Sequence, residues 1–262
     1  MSAKGTYVYC LVAATRKPSL GRKKGPEGTG PVRAIDVDLG PMKPTRLRGW
    51  LIVADAPLDR YGEQEVNKRL QDLDWVARAA VAHERIIESF VTSPAVLPMK
   101  LLTIFTSDQR AVDHVMADPV RVRALLSRVM HHEEWGVRLV LDRSRAVAGR
   151  TARRAAVASG AGYLERKKVI LERTAELAER AQEVVAGLRE FLERHASLVR
   201  RREAREMPVQ GGPLLLDEAL LVARTRARKF RTAVAREARR LGPQGYRLDL
   251  TGPWPPYSFL QD

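Results

Sequence analysis

Residues 161–205 have the sequence AGYLERKKVILERTAELAERAQEVVAGLREFLERHASLVRRREAR, and this stretch decides the general architecture of the chain. Apolar residues recur by sevens from Leu164 to Val199, and a second apolar column lies one residue earlier. This spacing predicts an amphipathic helix with one broad apolar face, about 65 Å long at 1.5 Å per residue. A lone helix would leave that face in water, so we expect it to pack on a sheet or on a partner helix.

The segments around this helix show alternating strand and helix patterns. Runs rich in β-branched and aromatic residues predict strands at 6–13, 32–40, 48–57, 135–142 and 245–252, while 213–224 favours a strand although its Leu and Ala content also suits a helix. The near-continuous apolar run 93–107 predicts a strand buried on both faces. Helical spacing covers 62–91, a segment from Ser107 to about Met130, and 224–241. Strands covered by helices indicate an α+β fold.

Changes in composition suggest how the chain divides into domains. Residues 143–160 are basic and rich in small residues, which indicates a linker between an N-terminal α+β domain (1–142) and a helix-rich C-terminal domain (161–251). Residues 252–262 then form a tail rich in proline and aromatic residues. Within the first domain, the basic segment 16–33 contains several glycines and prolines, which predicts a mobile loop.

The overall composition excludes several classes of protein. The 262 residues include 46 Lys+Arg and 31 Asp+Glu, which gives a formal net charge of +15. No run approaches the roughly 18–20 apolar residues of a membrane-spanning helix, and the first residues lack a signal-peptide core. The single cysteine, Cys10, excludes an intramolecular disulfide and a cysteine-based zinc cluster. We therefore expect a cytoplasmic protein that is not attached to a membrane.

The positive charge is concentrated in two basic patches. Their members are Arg22, Lys23 and Lys24 in the loop, and Arg226, Arg228, Lys229 and Arg231 in the helical segment 224–241, where eight Arg/Lys accompany only Glu237. This charge raises a basic nucleic-acid-binding protein as an alternative function. However, Phe230 is the single aromatic residue among the helical cations, and no RNP, KH or zinc-finger signature occurs. The patches are better suited to acidic protein surfaces.

Two polar clusters bear on whether the chain is an enzyme. The segment His131-His132-Glu133-Glu134 lacks the spacing of a zinc-binding helix, and the position four after His83 is Ile87. The glycines of the loop are not followed by a lysine in the order of a phosphate-binding loop. We expect solvated or capping roles for these histidines, and neither a catalytic site, a metal site nor a cofactor.

The most specific motif is GPWPPYSF at 252–259. Gly252 can adopt a positive φ, and prolines stiffen the segment that follows, so the tail loses little entropy when it docks. Aromatic rings would supply most of the docking energy. The residues expected to hold the tail as a clamp between lobes, or to offer it to another subunit, are Gly252, Pro253, Trp254, Pro255, Pro256, Tyr257 and Phe259.

Together these motifs resemble the gas vesicle protein GvpF/GvpL family. The likeness rests on the terminal GPWPPYSF after YRLDLT, on His83-Glu84 ahead of SPAVLPMKLLTIFTS (93–107), and on the segments YVYCLV (7–12) and SGAGYLERK (159–167). The chain departs from the family pattern at Lys100, Leu101 and Leu102, where Arg and Phe-Gly are usual.

The resemblance implies a fold and a function. The fold would be α+β with two lobes, at least one containing a ferredoxin-like antiparallel sheet covered by helices, together with the long amphipathic helix and the extended tail. The protein would be a non-enzymatic accessory or minor structural protein of gas vesicle formation. Its expected partners are the vesicle structural subunit and other accessory proteins, and its expected location is the cytoplasm and the gas vesicle.

Overall fold

The computed structural model describes residues 3–42, 46–142, 160–202 and 212–260. The chain forms two compact units, one from Met1–Glu134 with Pro253–Asp262 and the other from Trp135–Gly252. The second unit is therefore inserted into the sequence of the first. None of the helices in the described ranges is long and apolar enough to cross a membrane.

The first unit is built on a sheet whose central strand is β1. Its elements are β1 (Lys4–Ala14), β2 (Arg33–Val37), β3 (Arg48–Pro57), α1 (Leu58–Tyr61), α2 (Glu63–Arg69), α3 (Leu73–Glu88), β4 (Ala95–Pro98), β5 (Ile104–Phe105), α4 (Asp108–Val115) and α5 (Pro119–Val129). The strand order is β2-β3-β1-β4, β5 also pairs with β1, and all of these pairings are antiparallel. Residues 5–13 of β1 are buried, because strands flank β1 on both edges and α3 packs near its face.

Three predicted elements of the first unit are each divided in the structure. The predicted helix 62–91 is two helices, because Asp72 accepts a hydrogen bond from the Trp75 N–H at 3.0 Å and starts α3 as its N-cap. The helix predicted from Ser107 to Met130 is likewise two, because Asp118 caps α5 and Pro119 occupies its first turn.

The predicted strand 93–107 is interrupted by a turn at residues 99–103. Within this turn, Leu102 adopts a φ of +62°, which a β-strand cannot accommodate. The turn is held by the Thr103 hydroxyl, which donates to the Lys100 carbonyl at 2.7 Å. The run therefore forms two short strands, β4 and β5, that pair with different parts of β1.

The second unit has a ferredoxin-like arrangement. Its elements are β6 (His132–Leu141), which begins at the end of the first unit, then α6 (Gly160–His195), β7 (Leu198–Arg201), β8 (Leu214–Ala223), α7 (Arg224–Leu241) and β9 (Tyr246–Trp254). These elements follow the order βαββαβ, and the sheet order is β7-β8-β6-β9. This is the split βαβ topology, and the second unit is therefore a lobe of the ferredoxin-like kind that the resemblance implies.

The long helix is shorter than its sequence pattern predicts. Helix α6 ends at His195, and residues 198–201, predicted to be helical, form β7 instead. Antiparallel pairing of β7 with Glu218–Leu221 of β8 satisfies the backbone groups that a longer helix would have bonded internally. Leu188 and Leu192 of α6 are fully buried and pack in the same core as Phe230 and Val234 of α7.

The division between the units falls after Glu134, earlier than the predicted domain end at residue 142. The reason is that β6 lies between β8 and β9 and so belongs to the second sheet. The predicted linker 143–160 lies outside the described residues except for Gly160, which begins α6.

Candidate functional site

The tail of the chain docks on the first unit. After β9 ends, Pro255 and Pro256 are buried, and a 3₁₀ turn at Tyr257–Phe259 places the Phe259 ring in the interior, with 4% of the residue exposed. Prolines fix φ before the turn, so the docked conformation is largely set before any contact is made. The tail residues upstream, Gly252, Pro253 and Trp254, are exposed, and Gly252 has a φ of +119°.

Two side chains of the first unit bind the backbone of the tail. The carboxylate of Glu134 accepts hydrogen bonds from the backbone N–H of Ser258 at 2.8 Å and from its hydroxyl at 2.7 Å. The guanidinium of Arg128, on α5, donates to the Phe259 carbonyl at 3.1 Å. Glu134 is only 2% exposed, so this charged group is committed to the tail rather than to solvent.

A third contact joins the tail to helix α3. The Tyr257 hydroxyl donates a hydrogen bond to the carboxylate of Glu84. Burial raises the pKa of Glu84, and the hydrogen bond from Tyr257 opposes that rise. Burial, together with this carboxylate, also raises the pKa of Tyr257, so its hydroxyl remains a donor.

Behind Glu84, a buried relay of hydrogen bonds supports the turn at 99–103. The Nε2 of His83 lies 3.2 Å from the Met99 carbonyl and must carry the proton, so its Nδ1 accepts from the Tyr7 hydroxyl at 3.1 Å. That hydroxyl in turn accepts from the Leu102 N–H at 3.2 Å. The residue His83 is 3% exposed, and burial lowers its pKa. The expected solvated or capping role is therefore wrong for His83, which is a buried structural residue.

A cavity of about 760 Å³, the tail pocket, lies where α3, the 99–103 turn and the docked tail meet. Its apolar lining comes from Ala80, Pro98, Met99, Leu101 and Leu260, and its polar lining from His83, Glu84, Lys100, Thr103, His114, Arg121 and Tyr257. Binding sites combine apolar walls with placed polar groups, and this cavity contains both kinds of side chain. Within this lining, His83 and Glu84 are already hydrogen-bonded to other parts of the chain.

The two polar clusters noted in the sequence, residues 131–134 and His83-Glu84, do not form a metal site. Among the described residues, no group of three or more His, Cys, Asp or Glu side chains is placed to hold a metal ion. The side chains of the segment His131-His132-Glu133-Glu134 do not converge on one point. Glu134 is buried against the tail, while His132 Nδ1 lies 2.6 Å from the Met130 carbonyl.

The basic patch of the loop is partly anchored to the first unit. Arg22 and Lys24 are exposed, whereas the Lys23 ammonium donates to the Ser19 carbonyl at 3.2 Å and lies 5.0 Å from the centre of the Phe90 ring. Further along, the Gly30 N–H donates to the Asp55 carbonyl at 2.8 Å. The second half of the loop is thus held against β3.

The other basic patch lies on α7 in the second unit. Arg226, Arg228, Lys229 and Arg231 are all exposed, and the Arg231 guanidinium lies 5.8 Å from the centre of the Trp135 ring. Arg228 and Lys229 face a groove against α6. The two patches predicted from the sequence are therefore surface features of two different units.

The sequence did not reveal the residues that receive the tail. Glu84 and Glu134 were visible only as members of polar clusters, and nothing in the sequence distinguished Arg128 from the other surface arginines of a helix. Arg128 contacts a residue 131 positions away in the sequence, and Glu134 contacts one 124 positions away. A local sequence pattern cannot indicate such contacts.

Comparisons with known proteins agree on one family. Residues 5–261 match the family of the gas vesicle synthesis protein GvpL/GvpF. Gas vesicle protein L of Streptomyces sp. (strain CB03234) is 31% identical over 229 residues, 84% of each chain. Gas vesicle protein F of the same strain is 28% identical over 275 aligned positions, which cover 98% of this chain and 99% of that protein.

Solved structures show the same fold. The crystal structure of GvpF from Anabaena sp. PCC7120 superposes on this chain with a TM-score of 0.67 at 14% sequence identity. The superposition covers 99% of this chain and 97% of the Anabaena chain. GvpF from Microcystis aeruginosa gives a TM-score of 0.64, also at 14% identity, over 98% of this chain and 99% of its own. The chain belongs to the gas vesicle GvpL/GvpF family, and this places it among the proteins of gas vesicle formation.

Proposed function

We propose that this chain is a non-enzymatic accessory or minor structural protein of gas vesicle formation that binds shell subunits and other accessory proteins during assembly. Family membership supports the process in which it acts. The binding role is supported by the tail pocket, whose lining combines apolar side chains with polar ones, several of which are bonded within the chain. On this view the protein is associated with gas vesicles.

The docked tail supports this role because it builds part of the pocket. Tyr257 and Leu260 line the cavity, while Ser258 and Phe259 are held by Glu134 and Arg128. A wall fixed in this way presents a preformed surface, so a partner loses less entropy on binding. In this proposal the docked tail acts as a clamp in the sense that it shapes the binding surface.

A pull-down tests the proposal. The tagged chain is mixed with the vesicle structural subunit and with other accessory proteins, and the recovered partners are quantified. We expect the double variant Leu101→Ala/Leu260→Ala, which removes apolar lining from the pocket, to reduce recovery at least about fivefold. The matched control is Leu73→Ala/Val120→Ala, which shortens two exposed apolar side chains outside the pocket (78% and 69% exposed).

Removing the tail provides a second test. A chain truncated after Gly252 is expected to lose stability in the first unit and to lose its partners. A truncated chain that melts normally and still recovers its partners would contradict the clamp. Equal recovery of partners by the pocket variant and its control would contradict the pocket as a binding surface.

A further inference from the structure

A second surface, the basic groove, lies between α6 and α7 in the second unit. It has a volume of about 660 Å³ and is lined by Phe191 and His195 of α6 and by Arg228, Lys229, Thr232, Ala233, Arg236 and Glu237 of α7. We infer that this groove is a docking site for an acidic amphipathic helix of a partner protein. This inference goes beyond the proposed function, because it concerns a different unit and specifies the chemistry of the partner.

The groove follows from how the two helices are patterned. Phe230 and Val234 of α7 are buried with Leu188 and Leu192 of α6 over one sheet, which sets the two helices side by side. Lys229, Ala233 and Arg236 follow one another at steps of four and three residues, so they share one face of α7. Because Ala233 has the smallest side chain of the three, it leaves an apolar floor between two cations.

The groove carries positive charge that the described part of the chain does not neutralise. Arg228 and Lys229 are exposed, as is Arg236, and no carboxylate among the described residues lies within ion-pair distance of these three. The one carboxylate of the lining, Glu237, is already bound by Arg240, with an N–O distance of 2.5 Å. Charge complementarity therefore favours an acidic occupant.

The floor favours an amphipathic helix over a nucleic acid. The Phe191 ring lies 4.3 Å from the His195 ring, and His195 Nδ1 donates to the Phe191 carbonyl at 2.7 Å. Phe191 is the one Phe, Tyr or Trp among the described lining residues, whereas single-stranded nucleic acid is bound by several aromatic rings on which successive bases stack. Lys229 and Arg236 are seven residues apart, about 10.5 Å along a helix. Two carboxylates at positions i and i+7 of a partner helix are separated by the same distance as Lys229 and Arg236. Such a helix could pair with both cations while its apolar side packs on the floor of the groove.

The test uses synthetic probes with the full chain. The probe is a fluorescent peptide of about 20 residues that forms an amphipathic helix with leucines on one face and glutamates along its borders. A peptide with lysines in place of the glutamates and a single-stranded DNA oligonucleotide serve as comparison probes. Binding is followed by fluorescence anisotropy at low and high salt, because electrostatic docking weakens as salt screens the charges.

Two charge-reversal variants with the same net charge distinguish the groove from charge in general. Lys229→Glu/Arg236→Glu alters the groove, and Arg22→Glu/Lys24→Glu alters exposed cations of the loop in the other unit. We expect the glutamate peptide to bind, and the groove variant to weaken it at least about tenfold while the loop variant changes it less than about twofold. The groove pair Lys229→Gln/Arg236→Gln should weaken binding by an intermediate factor, and thermal unfolding should show that every variant is folded.

Three outcomes would overturn the inference. They are absence of binding by the glutamate peptide, equal weakening by the groove and loop variants, and displacement of the peptide from the groove by the oligonucleotide, which would make the groove a nucleic-acid surface. None of these results bears on the tail pocket, so failure here is separate from failure of the proposed function.

Discussion

The tail pocket and the basic groove use polar side chains in opposite ways. Around the pocket, Glu84, Arg128 and Glu134 form hydrogen bonds with the chain's own tail. In the groove, Arg228, Lys229 and Arg236 are exposed and unpaired with any described carboxylate. The charged side chains near the pocket thus help to fix the structure of the first unit, whereas the groove cations are available to a partner. Substitutions of the charged residues that hold the tail should therefore change stability, and substitutions of the groove cations should change binding.

The largest effect is expected from the anchor of the tail. Phe259→Ala removes a ring that is 4% exposed and should lower the free energy of unfolding by about 3 kcal/mol, because it leaves a cavity. Urea denaturation measures this loss, with Leu73→Ala as the control at an exposed site. A loss of less than about 0.5 kcal/mol, the range of ordinary surface substitutions, would show that the tail is not part of the first unit's core.

The next effect concerns the buried acceptor of the tail. Glu134→Ala removes both hydrogen bonds to Ser258 and should cost about 2 kcal/mol, since the Ser258 N–H loses a charged partner. Glu134→Gln keeps one oxygen acceptor and should cost about half as much. The two variants are compared by urea denaturation, and an equal cost would mean that the one oxygen acceptor kept by Gln does not help to hold the tail.

A smaller, pH-dependent effect is expected at Tyr257. Tyr257→Phe should cost about 1 kcal/mol at neutral pH, the low end for a charged acceptor, because 36% of Tyr257 is exposed. It should also raise the pKa of Glu84 further, because the hydrogen bond that opposes the effect of burial is lost. This change is measured by NMR titration of the Glu84 carboxyl carbon, and an unchanged pKa would refute the hydrogen bond.

The sign of the stability change follows from the direction of this pKa. The folded-state pKa of Glu84 is raised above its unfolded value, so folding favours the protonated form. Its stabilising contribution is complete below the unfolded pKa and is lost as pH rises through the folded pKa. In Tyr257→Phe, the stabilising contribution of Glu84 should be lost over a pH range that reaches higher values. The free energy of unfolding of the unchanged chain and of the variant, each measured against pH, reveals the difference.

The smallest effect should come from the groove. Lys229→Ala/Arg236→Ala is expected to change the free energy of unfolding by less than about 0.5 kcal/mol, because both side chains are exposed and no described carboxylate pairs with them. Thermal unfolding at low and high salt measures this. A loss of more than about 1 kcal/mol would show that the groove cations are structural, and the contrast with the pocket would fail.

Most strands and helices could be predicted from the sequence because their patterns are local. The β-branched and aromatic run at 6–13 and the apolar run at 48–57 are strands β1 and β3, as predicted. The turn at 99–103 could not be predicted, because Leu102 is not a residue that favours a positive φ. Its conformation depends on the Tyr7 hydroxyl, which is 95 residues away in the sequence.

The same distinction applies to β7 and to the tail. The apolar spacing of α6 continues through Leu198 and Val199, so only the pairing with β8 reveals that these residues are a strand. The tail could be identified because its prolines and aromatic residues are adjacent in the sequence. Its receptor could not, because Glu84, Arg128 and Glu134 come from three separate elements that only the fold brings together.

The insertion of the second unit has a consequence for synthesis of the chain. Glu134 is the last residue of the first unit before the insertion, and its partner Ser258 follows the insertion. A ribosome adding roughly 5–20 residues per second must therefore translate all of Trp135–Gly252 before the first unit can receive its tail. For several seconds the nascent protein has an incomplete tail pocket. A surface assembled this late reaches its final form only after the ferredoxin-like unit has been translated.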